Sequence, residues 1–551
     1  MIADCLSRRV TMFLRRLSLL LVPTCAAWLG CGEAAPPYEE VNPPEFTRDP
    51  REGAADISNE EMLPGCGEPD AGTGPVDAGT SVLVTADTRF HSSAGVTVVP
   101  QNMAGRDVEI LIPNGVDFDR RTGTPVAGGL RFDNVPDGEY FLRSNRFFYL
   151  TRERRFDLGV NRIGRPDAVY VPMTETPALA ALYNLAPWQY YTSTSQQGTA
   201  LQLISADVDL YSTLSYSMEP GEGDTSYVDP GAYAFISTGY GAPVLDASKN
   251  DRVYVNQLNS VVAGTLPSGG TLAYQTLLRS ARLPSFSFTP DGTTAMPLAA
   301  TLSPVTQTPF SLEWRLNEFT RWLPDSNPTG TLSSSTLSLV PAPFGYQSGW
   351  VGYQGELFNL WLPRGENGVI ASRLAYGNPY PSNWGVVGAV TYSFRSAAPV
   401  FMGSRVHYPS GNIFITDRLD HLVASPIQPP VSPPRELRID GVDAYVSRVV
   451  GSNQPVISWR PPVLGTPRHY TVSVLQLIST YAATPTLRFY LPGDRTQVRL
   501  PPNLLQPGST YYVRVAADTS PYYEPSRAPY VTAELLPAYS ADTFSAVFTT
   551  P

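Results

Sequence analysis

The side chains able to do chemistry are few, and their spacing does not favour it. Four histidines, His91, His407, His421 and His469, stand far apart in the chain, with no His-Glu-x-x-His or paired spacing that would set two imidazoles on one zinc ion. No Gly-x-Ser-x-Gly elbow, phosphate-binding Gly-Lys-Ser/Thr loop or dinucleotide glycine fingerprint occurs, so the familiar motifs for acyl, phosphoryl and hydride transfer are missing. The expectation is no cofactor, no metal and no catalytic set. A carboxylate pair for glycoside hydrolysis stays open, because any two Asp or Glu could converge in space. The run Glu219-Pro-Gly-Glu222-Gly-Asp224, followed by Asp229, gathers oxygen ligands of the kind calcium takes. It lacks the Asp-x-Asp-x-Asp-Gly spacing and reads as a solvated turn. Planar rings are dense between residues 346 and 384, and Tyr346, Trp350, Tyr353, Trp361, Tyr380 and Trp384 are the candidates for stacking on a sugar. Core packing would account for the same rings without a ligand.

The cysteines carry a different message. Arg8, Arg9, Arg15 and Arg16 precede an apolar run from Leu17 to Leu29, the layout of an export signal, and at about 13 residues the run is too short to span a bilayer. It ends in Trp28-Leu29-Gly30-Cys31, which resembles the lipobox of bacterial lipoproteins through Gly30 and Cys31, while Trp28 and Leu29 depart from the usual residues. The resemblance implies that residues 1–30 are a signal peptide and that Cys31 receives diacylglycerol, making a membrane the first partner. Ordinary cleavage and free secretion is the alternative. Removal of the signal takes Cys5 and Cys25 with it, leaving Cys31 and Cys66 and no disulfide framework. Cys66 then has no partner if Cys31 is lipidated, and could close a loop with it otherwise.

Residues 31–80 are rich in Pro, Gly, Ala and acids with no apolar period, the composition of a disordered tether. From Gly32 to Thr80 there are twelve acids and two arginines, so this stretch carries −10 while residues 81–551 carry only −3. Repulsion along it would hold the globular part off an anionic surface, at a coil reach of about 35 to 42 Å.

The remaining residues must be positioned by β-structure. The chain is 42% hydrophobic and 16% charged, with 54 Pro and 44 Gly, which favours short strands and turns over charged helices. At 551 residues it exceeds one core, so about three to four domains are expected. The fold class expected is all-β: multi-domain β-sandwiches, a disordered N-terminal tether and one short helix in the central region. That helix is predicted from Leu312, Leu316, Phe319 and Leu323, at helical spacing until Pro324. The boundaries read as 81–165 for a first β-domain, 170–425 for a central β-rich region of one large or two small domains, and 433–551 for a last domain. A proline-rich linker, Ser425 to Pro434, precedes the last. Basic residues between Arg152 and Arg165 read as a solvated edge strand in preference to an anion site.

Two further resemblances attach to these segments. Gly129-Leu-Arg-Phe132-Asp-Asn-Val135-Pro136-Asp-Gly138-Glu-Tyr140-Phe-Leu142 is similar to the final hairpin of transthyretin-like, or carboxypeptidase regulatory-like, domains. It implies that Pro136 and Gly138 make the turn and that Phe132, Val135, Tyr140 and Leu142 share one core. The last 117 residues resemble a fibronectin type III domain: Leu437-Arg-Ile439, Val456-Ile-Ser-Trp459, Tyr470-Thr-Val-Ser-Val474, Leu505-Gln-Pro507-Gly508-Ser-Thr-Tyr511-Tyr-Val513-Arg-Val515 and a terminal strand Phe544–Phe548. The resemblance implies a core tryptophan at Trp459 and a tyrosine corner at Tyr511. An insertion from Ser520 to Ala538 exceeds the family's final loop.

Together these expectations describe a non-enzymatic cell-envelope lipoprotein at the outer membrane or cell surface. Its β-modules would serve adhesion, envelope organisation or polysaccharide binding, with polysaccharide or another surface protein as partner and no nucleic acid. The alternative is a secreted carbohydrate-active enzyme with accessory β-domains.

Overall fold

Alternation of side chains sets the strands. In Glu175–Tyr183 every second residue, Thr176, Ala178, Ala180 and Leu182, is buried, while Glu175, Leu179 and Tyr183 face out, the period of two that a pleated strand with one covered face requires. The computed structural model describes residues 81–551 except 116, 237–239, 347–354, 401–405 and 480–481. The expected signal, Cys31, Cys66 and the expected acidic tether lie outside the described residues. Strand makes up 53% and helix 4%, so the all-β expectation holds.

The helical segment of the central region is shorter than its periodicity suggests. Leu312 and Trp314 sit in the strand Gln307–Arg315, and helix begins only at Leu316, running Leu316–Thr320 and then Leu323–Ser326. Pro324 opens the second turn, where its missing N–H costs nothing, and does not end the first. A strand and a helix both bury Leu312 and Leu316, which is why the spacing of apolar residues alone misplaces the boundary.

The first sandwich, between residues 81 and 163, packs Val82, Val84 and Phe132 of one layer against Ile110, Tyr140 and Leu142 of the other. The expected hairpin is corrected here. Gly129–Phe132 pairs with Val82–Thr85, and Tyr140–Ser144 pairs with Val108–Asn114 and Phe147–Thr151. The segment is thus an arch between two sheets. Asn134 and Gly138 adopt positive φ (57° and 125°), which lets the chain turn from one layer to the other while Phe132, Val135, Tyr140 and Leu142 all enter one core.

The C-terminal sandwich has the fibronectin type III-like arrangement. One sheet orders Val442–Asp443, Arg435–Ile439, Val456–Arg460 and Gln497–Arg499. The other orders Ala483–Pro492, His469–Leu477, Thr510–Asp518 and Ala538–Phe544. Trp459 is buried and meets Tyr470 edge-on at 5.1 Å. Tyr511 is fully buried, and its hydroxyl accepts from the Gln506 N–H at 2.8 Å, the tyrosine corner that the motif implies. Tyr511→Phe is expected to remove this bond at a cost of about 0.5–1.5 kcal/mol, read as a lowered denaturant midpoint with unchanged slope. The last long strand is Ala538–Phe544, and Ser545–Val547 leave it. The shift from the expected Phe544–Phe548 follows from pairing, because Ala538–Phe544 is hydrogen-bonded on both edges, to Thr510–Asp518 and to Ser410–Arg418.

That double pairing belongs to a 22-stranded sheet running through all three regions. Phe147–Thr151 of the first sandwich pairs in parallel with Ala483–Pro492. Across the C-terminal sandwich, Ala538–Phe544 passes the sheet to Ser410–Arg418. It then continues through Gly385–Arg395, Thr331–Ala342, Phe358–Leu362, Thr271–Arg282 and Tyr254–Thr265 toward Glu175–Tyr183 and Met296–Thr301. The proline-rich linker is part of this body: Ile427 donates to the Glu313 carbonyl at 2.8 Å and accepts from Arg315 N–H at 3.1 Å, and Val431 and Ser432 are buried.

Candidate functional site at the junction of the first and C-terminal sandwiches

The insertion that the C-terminal segment carries packs against the first sandwich. It spans residues 520–537, since Ala538 already belongs to the next strand. Tyr523 and Tyr530 join the core of Val82, Phe132 and Tyr149. The Tyr149 hydroxyl donates to that of Tyr530 at 2.8 Å, Thr151 Oγ1 donates to the Ser526 carbonyl at 2.7 Å, and Asp157 N–H donates to the Arg527 carbonyl at 2.8 Å. Burial pushes the phenols of both Tyr149 and Tyr530 well up from their ordinary value. On a neighbouring face Asn161 bridges His91, 2.9 Å from its Nε2, and Glu534, to which it donates at 2.7 Å. Burial holds the His91 imidazole below its ordinary value.

Where these surfaces meet they leave a cleft of about 330 Å³. Its walls come from Leu150 and Glu153 of the first sandwich, from the strand starts and turns at Arg468, His469 and Tyr490 to Pro492, and from the insertion at Tyr523 to Arg527. His469 is 3% exposed, stands edge-on to Tyr523 at 4.6 Å, and its enclosed ring nitrogens have no hydrogen-bond partner among the described residues. Its Nε2 lies 3.4 Å from the carboxylate of Asp518, which is fully buried. The pair arises from register, because His469 and Asp518 are opposite one another on adjacent antiparallel strands. Asp518 is held in turn by the Ser520 N–H at 2.8 Å. Gly493 closes the corner beside Pro492, where a Cβ would come within 2.0 Å of the Pro467 carbonyl. Glu153, Arg468, Glu524 and Arg527 are exposed at the mouth. The cleft thus has aromatic walls and both signs of charge at its mouth, with the His469–Asp518 pair enclosed behind them.

The sequence-derived candidates fall elsewhere. Tyr380 and Trp384 are buried and stacked on each other at 4.5 Å and 19°, and the Tyr380 hydroxyl accepts from Asn256 Nδ2 at 2.7 Å. Tyr346 packs in a different cluster with Val340, Ala342 and Val387, its hydroxyl accepting from Val386 N–H at 2.6 Å, with the Arg418 guanidinium 4.6 Å from its ring. Trp361 is half-buried in Phe358–Leu362, opposite Thr336. Trp350 and Tyr353 lie outside the described residues.

The acidic turn is occupied by the chain's own donors. Glu222 accepts from Tyr190 N–H at 2.6 Å, and Asp224 accepts from Gly221 N–H at 2.7 Å. Burial would raise Asp229, but hydrogen bonds from Ser217, Gly231 and Tyr227 hold it down to about 2. Among the described residues no group of three or more His, Cys, Asp or Glu is placed to hold a metal ion. Of the basic stretch, Arg165 makes a two-pronged contact with the buried carboxylate of Asp251 at 3.0 and 3.1 Å. The sequence signal for the cleft was the length of the insertion; the His469–Asp518 pair had none, because register across distant strands sets it.

No family model matches the chain, and no curated protein matches it. Among solved structures a similar chain is found in the crystal structure of chicken CNTN1 FN1-FN3 domains, 9% identical, covering 68% of this chain and 99% of that one at a TM-score of 0.13. A score that low carries no argument, and the fibronectin type III-like description rests on the sheets and the tyrosine corner above.

Proposed function

We propose that this chain is a non-enzymatic lipoprotein of a bacterial cell envelope, lipid-anchored at the outer membrane or cell surface, which presents a β-array for adhesion, envelope organisation or polysaccharide binding. The observation that carries the display role is the strand pairing between regions: Phe147–Thr151 on Ala483–Pro492, and Ala538–Phe544 on Ser410–Arg418. Backbone ladders at both junctions fix the orientation of the parts, as suits a spacer or presenting surface, whereas independently moving domains usually meet through smaller, more polar contacts. The anchor rests on Gly30-Cys31 at the end of the apolar leader.

Expression with the native leader in a Gram-negative host tests this reading. The wild-type chain is expected in the membrane fraction, cleaved before a diacylated Cys31, and retained on an insoluble polysaccharide matrix. Cys31→Ser is expected to move nearly all of it to the soluble fraction. An uncleaved N-terminus on soluble cytosolic protein would overturn the anchor, and release of shortened saccharides from the matrix would overturn the non-enzymatic role.

A further inference from the structure

We propose that the hydrogen-bonded series His91, Asn161 and Glu534 is an acid-released latch, closed at neutral pH, that holds the 531–534 end of the insertion on the first sandwich. The latch is independent of the display role above. Strand register builds it. Val160–Ile163 pairs in parallel with Asp87–Ser92, so Asn161 lies beside Arg89, and His91, two residues on, shares that face. The insertion covers the face. Asn161 Nδ2 donates to the Glu534 carboxylate at 2.7 Å and to the Val531 carbonyl at 3.3 Å. With that nitrogen committed, Asn161 Oδ1 is the atom 2.9 Å from His91 Nε2, so the ring nitrogen donates to it. His91, Arg89 and Glu534 are all buried.

This enclosure resists a proton on His91. Its own strand brings Arg89 to the same face, and the insertion brings Glu534 beyond Asn161. The paired strand Gly95–Pro100 carries no charged residue. Val160–Ile163 carries only Arg162, which stands opposite Phe90 on the other face. A protonated imidazole therefore puts two enclosed cations beside one carboxylate, and a buried charge without its own partner is costly. Lifting the 531–534 end lets water reach the ring and removes that cost. Burial, with the Arg89 charge adding to it, holds the imidazole below its ordinary value against the pull of the Asn161 hydrogen bond. The closed latch thus binds a proton more weakly than the open one. Closure keeps its full stability above the ordinary imidazole value of about 6.5 and weakens as pH falls below it, by at most about tenfold per pH unit.

The test is amide hydrogen exchange of the full chain, read by mass spectrometry from about pH 7 to about pH 5 and corrected for the intrinsic pH dependence of exchange. Within the latched end, Thr532 N–H donates to the Ala528 carbonyl at 3.2 Å and Leu535 N–H to the Thr532 carbonyl at 3.3 Å, so both report on closure. Protection of residues 531–536 is expected to fall at least about threefold over that range, while the central strand Tyr254–Thr265 keeps its own. His91→Gln, whose amide donates to Asn161 without titrating, is expected to keep protection level across the range. Asn161→Asp covers the case in which His91→Gln is already loosened at neutral pH: its carboxylate favours the charged ring, so protection should no longer fall toward pH 5. A wild-type profile without a fall would overturn the proposal, as would an equal fall in His91→Gln and wild type where His91→Gln is closed at neutral pH, or in Asn161→Asp and wild type. Loss of protection in Tyr254–Thr265 at the same pH would also overturn it, because acid would then be unfolding the whole body.

Discussion

Phe489→Ala is expected to cost about 3–5 kcal/mol, the range for truncating a large aromatic in a packed core, and to loosen the first sandwich together with the C-terminal one. Phe489 is fully buried, and in the parallel pairing of Phe147–Thr151 with Ala483–Pro492 it sits opposite Phe148. The two rings stack at 4.6 Å and 19°, and Phe141 meets Phe489 edge-on at 6.2 Å. Truncation therefore opens a void on a seam shared by two sandwiches, where neither can close it alone. The check is a denaturant titration combined with limited proteolysis. The midpoint should fall, and cleavage near Arg146 and near Arg488 should rise in parallel. A loss under about 1 kcal/mol, or cleavage confined to one side, would show that the seam is not a shared core.

Arg165→Ala is the second large effect. The Asp251 side chain has no exposure, and it accepts from Nε and an Nη of Arg165 at 3.0 and 3.1 Å as well as from the Asp246 N–H at 2.8 Å. Arg165 follows the last strand of the first sandwich, and Asp251 precedes Tyr254–Thr265 of the central region, so the pair ties the two together. Removing the cation from a buried carboxylate strands it, with losses of about 3–5 kcal/mol. Asp251→Ala should cost less, because Arg165 then retains 17% exposure and its contact with Asp167 at 2.8 Å, whereas Arg165→Ala leaves a carboxylate of no exposure with a backbone donor alone. Thermal unfolding of both variants measures the order. Equal and small losses would mean that the pair merely breaks even against its desolvation.

Local patterns made much of the C-terminal sandwich legible. Trp459, Tyr470 and Tyr511 occupy motif positions whose roles depend on neighbours a few residues away, so a short window of sequence specifies them. The arch between Phe132 and Tyr140 was read as a hairpin because both topologies turn the same side chains inward, and only the choice of partner strand differs. Leu312 and Trp314 misled for a related reason, since a buried strand running into a helix imitates one longer helix. The ring density between residues 346 and 384 signalled burial as strongly as binding, and Tyr380 on Trp384 is an interior stack. What no local window held was the register of Phe148 with Phe489, or of His469 with Asp518. Both the joint between the sandwiches and the candidate cleft depend on those registers.

The parallel seam also constrains how the chain can mature. Arg146 Nη1 donates to the Pro485 carbonyl across 339 residues of sequence, and closing so large a loop is entropically costly and slow. During synthesis, the strand edge at Phe147–Thr151 waits without its mate until nearly the whole polypeptide has left the ribosome. Such a waiting edge invites wrong pairing. A chain built this way completes its ladder only once the late partner strand has arrived, so its N-terminal sandwich matures last along that edge.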